Sequence, residues 1–177
     1  MDYKKLFNTI KPDFFKMDII RNMPDDRVFT ELIMDLRKSN CKNLKLPYPQ
    51  NITFDFYKGD LQDIRKIVAR VDNDWVNYYT ENMRIFCAFD GNQIAAFCLL
   101  ETFGKADGLL IGGPGCVGTV PEYRKQGIGL EMVRRATEIL RKENYDLSWI
   151  HWTHLTAWYG KLGYQHVLSW NNKGFIN

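Results

Sequence analysis

The sequence lacks long apolar runs and closely spaced cysteine pairs. No stretch approaches the roughly 18 apolar residues of a membrane-spanning helix. The first residues, MDYKKLFNTIKPDF, also lack the long apolar core of a signal peptide. The cysteines at Cys41, Cys87, Cys98 and Cys116 lie far apart without a C-x-x-C pair, which favours buried free thiols. We therefore expect a cytoplasmic protein in a reducing compartment.

Blocks of like charge are missing as well. The chain has 24 basic and 21 acidic residues and a net charge of +3, spread along its whole length. So small an excess is weak support for a nucleic acid or membrane partner, and we expect neither. It suits an anionic small ligand or simply keeps the protein soluble. A length of 177 residues with 45% hydrophobic residues fits one compact domain with or without an appendage.

The first fifty residues differ in pattern from the rest. Phe29, Leu32, Ile33 and Leu36 recur at helical spacing, which predicts an amphipathic helix ending near Ser39 and Asn40. The two prolines of LKLPYPQN then mark an extended connector. We interpret residues 1–50 as a helical appendage packed on a main domain that comprises residues 51–177.

The sequence predicts strands and short helices in the first half of the main domain. ITFDFY predicts a strand, and a helix follows with Asp60 as its N-cap. WVNYYT predicts a further short helical segment. Two strands surround the turn Asp90-Gly91-Asn92, a strong hairpin signal, and we place Glu101 at the end of the second of them.

The second half contains a glycine-rich apolar strand, LLIGGPGCVGTV, in which glycines indicate a bulge or the close approach of a ligand. A long amphipathic helix follows from about Gly127 to Asn144. Its pairs Glu131 with Arg135 and Glu138 with Lys142 are predicted to point outward. The chain then predicts a strand at LSWIHWT, a short helix at LTAWYGKLG and a final strand at YQHVLSW.

The start of the long helix can hold an anion. Its first amides have no partner within the helix and carry positive potential, glycines at Gly127 and Gly129 leave space, and Arg124 and Lys125 add charge. A nucleotide P-loop requires G-x-x-x-x-G-K-[ST], which is absent, and the dinucleotide fingerprint G-x-G-x-x-G is not completed after Gly127. Both of these phosphate-binding motifs are therefore excluded.

The remaining pattern, R-x-x-G-x-G preceded by V-P-E-Y, resembles the coenzyme A pyrophosphate loop of the GNAT acyltransferase superfamily. The resemblance runs from about Asn51 to Trp170. It implies an α/β (α+β) fold with a mixed, mainly antiparallel central sheet, flanked by helices and splayed between the fourth and fifth strands of the domain. It also implies acetyl-CoA as cosubstrate. The implied cofactor-binding residues are Val117, Gly118, Thr119, Val120, Arg124, Lys125, Gln126, Gly127, Ile128 and Gly129.

A second motif, WYGKLGY, is similar to the signature of the last helix of that superfamily, and implies that Tyr159 protonates the departing thiolate. Neither the glycine-rich strand LLIGGPGCVGTV nor the strand LSWIHWT contains a carboxylate to serve as general base. The candidates are His151 and Glu101, with Asp107 behind them. His151 and His154 form H-x-x-H, but no third ligand is obvious, so we expect no metal.

We therefore expect an N-acetyltransferase that moves an acetyl group from acetyl-CoA to an amine by direct attack in a ternary complex. The alternative is a catalytically inactive CoA-binding sensor or interaction module with the same fold. We expect a small-molecule or peptide amine as acceptor and a monomer or homodimer. The fold does not choose among acceptors.

Overall fold

The computed structural model describes residues 1–39 and 41–176. Its strands in these ranges are β1 (Phe29–Asp35), β2 (Ile52–Phe56), β3 (Ile85–Asp90), β4 (Gln93–Ala106), β5 (Leu109–Thr119), β6 (Leu147–Thr153), β7 (Gln165–Asn171) and β8 (Gly174–Ile176). The α-helices are α1 (Tyr3–Ile10), α2 (Asp18–Arg21), α3 (Leu61–Ala69), α4 (Ile128–Lys142) and α5 (Thr156–Gly160). Short 3₁₀ helices span Phe14–Lys16, Asn73–Tyr78 and Pro121–Tyr123.

The strands form a mostly antiparallel sheet in the order β2-β3-β4-β5-β6-β1-β7-β8. The pair β5 and β6 is parallel and joins Ile111 to Leu147 and Gly112 to Ser148. Strand β5 nevertheless continues to Thr119, and β6 continues to Thr153. These two strands are the fourth and fifth of the main domain, so the predicted mixed sheet with a splay between them is confirmed.

The contacts divide the chain into two compact units. The first comprises Met1–Asn40, Thr102–Gly113 and Leu140–Asn177, and the second comprises Cys41–Glu101 and Pro114–Ile139. The buried aromatic side chains in the core of the first unit include Phe7, Phe14, Phe29, Trp149 and Trp170. The core of the second unit is centred on Ile64, Val68, Tyr79, Phe97 and Val120. A boundary at residue 50 stays a prediction.

The predicted helix over Phe29 to Leu36 is wrong, because Phe29–Asp35 is strand β1. This strand pairs with β6 on one edge and β7 on the other, and Leu32 is opposite both Ile150 and His166. Side chains on both of its faces are buried, so the sequence has no alternation to mark a strand. A short apolar run of this kind fits the residue period of a helix and that of a strand equally well. The predicted helix end at Asn40 lies outside the described residues.

The other predicted elements of the main domain are confirmed. The Asp60 side chain caps α3 by accepting a hydrogen bond from the Gln62 amide at 2.7 Å. Gly91 has φ 57° in the β3–β4 turn, a left-handed conformation that favours glycine. Strand β8 had no sequence prediction. Among the described residues, none of the helices has the length and apolarity required to cross a bilayer.

Helix α4 differs from its prediction in one respect, because Glu131 and Glu138 are buried rather than outward-facing. Glu131 accepts hydrogen bonds from Arg134 and Arg135, each at 2.7 Å. Glu138 accepts a hydrogen bond from the Cys41 amide at 3.0 Å. The segment that begins at Cys41 therefore covers the side of α4 that its own sequence pattern assigns to solvent.

Candidate active site

The turn between β5 and α4 carries half of the predicted cofactor-binding residues, namely Val120, Arg124, Lys125, Gln126 and Gly127. Arg124, Lys125 and Gln126 are exposed to solvent, as residues that meet a ligand must be. The Arg124 Nε atom donates to the carbonyl oxygen of Thr119 at 3.1 Å, and Gln126 Nε2 donates to the carbonyl oxygen of Glu122 at 3.2 Å. The first bond joins the turn to the end of β5, and the second joins it to the 3₁₀ helix Pro121–Tyr123.

The backbone of this turn is left-handed at Lys125, with φ 61°, and at Gly127, with φ 80°. A β carbon at position 127 would overlap the carbonyl oxygen of Pro47. The sequence pattern indicates that Gly127 leaves space for phosphates. The structure requires a glycine at this position even without a ligand. Its φ and the close approach of the connector are sufficient reasons.

The glycines of β5 also lie against protein atoms. A β carbon at Gly115 would overlap the Glu101 carboxylate, and one at Gly118 would overlap the Phe97 ring. Between them, Cys116 has φ 45° and breaks the regular strand conformation. The predicted irregularity of this strand is therefore confirmed. The atoms that approach Gly115 and Gly118 belong to side chains of β4.

Glu101 lies within β4, which continues to Ala106, and is not the strand terminus that the sequence predicts. Its carboxylate lies against the backbone of β5 at Gly115. Nearby, the Tyr79 hydroxyl donates to the carbonyl oxygen of Cys116 at 3.0 Å. Tyr79 is fully buried, and this burial raises its pKa well above the ordinary value, so it stays a neutral donor.

Four residues of the predicted cofactor strand alternate in exposure. Val117 and Thr119 are half-buried, whereas Gly118 and Val120 are buried. The Val120 amide donates to the carbonyl oxygen of Ala95 at 3.0 Å, so its peptide faces β4. Because the N–H and C=O groups of one residue share an edge of a strand and alternate from residue to residue, those of Val117 and Thr119 are directed away from β4.

A cavity of about 720 Å³ opens beside the end of β5 in the second unit. Lys66 of α3 and Arg70, which caps the end of α3, line it together with Tyr57, Glu122 and Val120. Arg70 and Glu122 form an ion pair across it. Val120 is the one residue of this cavity lining that also belongs to the predicted cofactor-binding set.

The other base candidates belong to the first unit. His151 lies on β6, and its Nδ1 atom is 2.9 Å from the Glu31 carboxylate. Asp107 forms a solvent-exposed ion pair with Lys5 at 2.7 Å, so its charge is already matched. The His154 ring packs against Phe29 at 4.5 Å between centroids. Among the described residues, no three His, Cys, Asp or Glu side chains are grouped to hold a metal ion.

Tyr159 lies on α5 and is 5% exposed. Its ring is 4.7 Å from the Trp158 ring in an edge-to-face arrangement, and 6.1 Å from the Tyr164 ring. Tyr164 in turn forms a 2.6 Å hydrogen bond with Ser148 Oγ. The hydroxyl of Tyr159 is therefore carried by a side chain that packing holds in one orientation.

Sequence reasoning missed Glu31. Its carboxylate is fully buried and contacts His151, Trp152, Trp149 and Trp170. One signal was present, because Glu31 is the single acidic residue within the apolar run that extends from Phe29 to Met34. A carboxylate in such a run is almost never buried unless it has partners.

The order of these elements can be compared with known proteins. Residues 81–166 match the family described as "Acetyltransferase (GNAT) domain". This segment of the chain therefore corresponds to a GNAT acetyltransferase domain. The matched segment covers β3, β4, β5, α4, β6 and α5, and so includes the turn at Arg124 and the motif around Tyr159. A comparison with curated proteins gives no significant match.

Solved GNAT structures share the fold at low sequence identity. A glucosamine N-acetyltransferase region of a fungal multi-domain GH3 beta-N-acetylglucosaminidase has a TM-score of 0.64 and 21% identity over 82% of this chain and 20% of its own. The GCN5-related N-acetyltransferase of Sphaerobacter thermophilus has a TM-score of 0.59 and 14% identity over 81% of this chain and 49% of its own. That of Kribbella flavida has a TM-score of 0.55 and 19% identity, over 88% and 60%.

These likenesses concern the GNAT fold alone. The chain spans between 20% and 60% of the length of the three structures. Their acceptors therefore say nothing direct about the acceptor of this protein. The superfamily assignment supports acyltransferase chemistry in general.

Proposed function

We propose that this GNAT protein is an acyl-CoA N-acyltransferase that moves the acetyl group of acetyl-CoA to an amine by direct attack in a ternary complex. The observation that carries the proposal is the GNAT match across the exposed Arg124–Gly127 turn at the start of α4. An anion at a helix start meets unpaired amides and positive potential.

In this proposal the pyrophosphate binds the turn residues Arg124 to Gly129. The pantetheine arm pairs with the peptides of Val117 and Thr119, since those of Gly118 and Val120 are directed toward β4. A backbone amide in this strand also polarises the thioester carbonyl. The exposed charges of Arg124 and Lys125 support the first part, and the inferred directions of the β5 peptides support the second.

Tyr159 is the proposed general acid, which gives its hydroxyl proton to the departing thiolate sulfur. Glu101 and His151 are the proposed candidates for the base that takes the proton of the amine. Holding amine and thioester together supplies a further part of the rate, because the step becomes effectively unimolecular. No metal enters the proposal.

The acceptor in the proposal is a small-molecule or peptide amine. Glucosamine belongs in the first panel of acceptors because the fungal region with 21% identity carries that substrate in its name. Monomer and homodimer both remain compatible with the proposal. A cytoplasmic location is supported by the reduced thiols of Cys41, Cys87 and Cys98.

Calorimetric titration with acetyl-CoA tests the cofactor. We expect a dissociation constant within the usual range of Michaelis constants, about 1 μM to 1 mM. Arg124→Gln should weaken this binding but leave the binding of acetyl-pantetheine, which has no pyrophosphate, unchanged. Lys16→Ala, at an exposed residue far from the turn in sequence, is the control. Absence of binding to acetyl-CoA would reject the proposal.

Turnover with a panel of amines, followed by release of the CoA thiol, separates the enzyme from the inactive CoA-binding module. Binding without turnover of any amine would favour the module. The lack of a carboxylate in the sequences of β5 and β6 favours that alternative, whereas two observations weigh against it. Glu101 lies against β5, and Glu31 contacts the β6 residue His151.

A further inference from the structure

The strongest unexplained feature of the first unit is the buried Glu31 carboxylate in the middle of β1. The residue is 0% exposed, and its strand is paired on both edges. An isolated buried charge is very costly unless hydrogen bonds replace its lost water. A leucine or valine would fill the same position without that cost.

Three of the partners of Glu31 are donors in any protonation state, and the fourth is a histidine nitrogen. Trp149 Nε1 donates to Oε2 at 2.6 Å, Trp170 Nε1 donates to Oε1 at 2.7 Å, and the Trp152 amide donates to Oε1 at 3.1 Å. The His151 Nδ1 atom lies 2.9 Å from Oε2 and 3.0 Å from Oε1. Such a set suits a carboxylate, because none of these partners needs a carboxyl hydrogen.

This arrangement fixes the tautomer of His151. A carboxylate only accepts hydrogen bonds, so Nδ1 must carry the hydrogen and, in the neutral ring, Nε2 must carry a lone pair. Within the described part of the chain, no residue forms a hydrogen bond with Nε2. The ring is held by Phe7 and Phe14, at centroid distances of 5.7 Å and 5.1 Å.

His151 also lies beyond the described residues of β6 that pair with β5, although this end of β6 still pairs with β1. The last β6 residue that pairs with β5 is Ser148, three positions earlier. The His151 side chain keeps 16% of its surface exposed, whereas that of Glu31 keeps none. The His151 ring is therefore held in place, and part of its side-chain surface is open to a ligand.

We propose that Glu31 is a positioning residue that holds His151 as the general base of the acetyl transfer. The inference rests on the proposed function. His151 Nε2 takes a proton from the amine nitrogen while that nitrogen bonds to the acetyl carbon. The C–S bond then breaks, the sulfur leaves as thiolate, and it takes the proton of Tyr159. The imidazolium returns its proton through solvent to Tyr159, so that amide and free thiol are the net products.

The carboxylate contributes twice to this step. It keeps Nε2 free of hydrogen before the reaction, and its charge stabilises the imidazolium that the reaction forms. A purely structural Glu31 would instead use the same hydrogen bonds only to join β1 to the indoles of Trp149 and Trp170. The two roles differ in what happens to His151 when Glu31 is changed.

Long-range proton–nitrogen NMR of the wild-type protein tests the pair without any substrate. The chain has three histidines, which makes assignment by His151→Gln and His166→Gln straightforward. We expect the neutral His151 ring to carry its hydrogen on Nδ1, and we expect Glu31→Gln to shift the ring toward the Nε2–H form. A wild-type ring with its hydrogen on Nε2 would overturn the proposal, even if Glu31→Gln does not fold.

Kinetics tests the catalytic consequence. We expect His151→Gln and Glu31→Gln each to lower kcat by about 10²-fold, at the low end of what a general base supplies. The double variant should lose about as much as either single variant, since the two residues act as a unit. The binding of acetyl-CoA should not change. His166→Gln, at an exposed histidine, is the matched control and should keep kcat within about twofold.

The possible failures are distinguishable. If wild-type protein binds acetyl-CoA and acetylates an amine but His151→Gln keeps its kcat and pH profile, the inference is wrong and the proposed function stands. If Glu31→Gln lowers only the melting temperature and leaves kcat of the folded protein unchanged, Glu31 is merely structural. If the wild type acetylates no amine, the proposed function fails, and the catalytic part of the inference fails with it.

Discussion

Gly127 lies directly against the carbonyl oxygen of Pro47, so that a β carbon at position 127 would overlap this oxygen. The contact joins the connector before β2 to the turn that we propose binds pyrophosphate. Both residues lie in the second unit, and Pro47 precedes Gly127 by about 80 residues. The shape of this turn therefore depends on a segment that is distant in the sequence.

Gly127→Ala should distort this turn. The left-handed φ of 80° alone costs a non-glycine residue about 1–3 kcal/mol. The overlap with Pro47 adds to that cost, and the binding of acetyl-CoA should weaken. Gly108→Ala is the matched control, because Gly108 has φ 78° but open space around it. Urea unfolding and calorimetry should show a larger stability loss for Gly127→Ala, and an affinity loss for it alone. Equal effects of the two variants would contradict this prediction.

Tyr159→Phe should lower kcat by about 10²-fold, because it removes the proposed proton donor to the thiolate. The binding of acetyl-CoA should stay the same, since the ring and its packing are kept. Tyr164→Phe is the control: it loses the 2.6 Å hydrogen bond with Ser148 Oγ and should cost stability of about 1 kcal/mol without lowering kcat. An unchanged kcat in Tyr159→Phe would exclude its role as acid.

Glu101→Gln should affect the acceptor more than the chemical step. Its half-buried carboxylate beside Gly115 is placed to attract a cationic amine, so we expect a higher KM for the amine with a smaller change in kcat. Steady-state kinetics beside His151→Gln gives the comparison. If kcat falls for Glu101→Gln and not for His151→Gln, Glu101 is the base.

Glu131→Ala should be strongly destabilising, by about 3–5 kcal/mol, because it leaves the largely buried guanidinium of Arg134 without its carboxylate. The side chains of this i,i+3 pair are 3% and 12% exposed. Asp63 and Lys66 form an i,i+3 pair as well, but at 66% and 74% exposure. Asp63→Ala should therefore cost less than about 1 kcal/mol in the same urea titration. Similar losses in both variants would be evidence against burial as the cause.

The Cys87 thiol should make stability depend on alkaline pH. Burial raises its pKa from 9.0 to about 12. Between these values the unfolded chain releases the thiol proton and the folded protein keeps it, so the free energy of unfolding falls by about 1.4 kcal/mol per pH unit. Cys87→Ala should lack this contribution and show a shallower decline than the wild type from pH 9 to 12 in urea titrations. Parallel slopes would contradict the prediction.

The sequence by itself determined the features that depend on neighbouring residues. Four features are each predicted by a short stretch of sequence. They are the Asp60 cap, the Asp90-Gly91-Asn92 hairpin, helix α4 and the turn at Arg124. Local hydrogen bonds and backbone preferences decide such features, so their patterns are readable without a fold. The hairpin, helix α4 and the turn at Arg124 lie within the segment that matches the GNAT domain.

Only the tertiary structure decided the features that depend on distant partners. Phe29–Asp35 fits either a helix or a strand by its apolar pattern, and pairing with β6 and β7 selects the strand. That pairing brings Glu31 to His151, 120 residues away, and so provides the carboxylate that β5 and β6 lack. Similarly, Glu138 is buried because the chain at Cys41 covers it. No local pattern encodes these contacts, because each is set by which segments pack together.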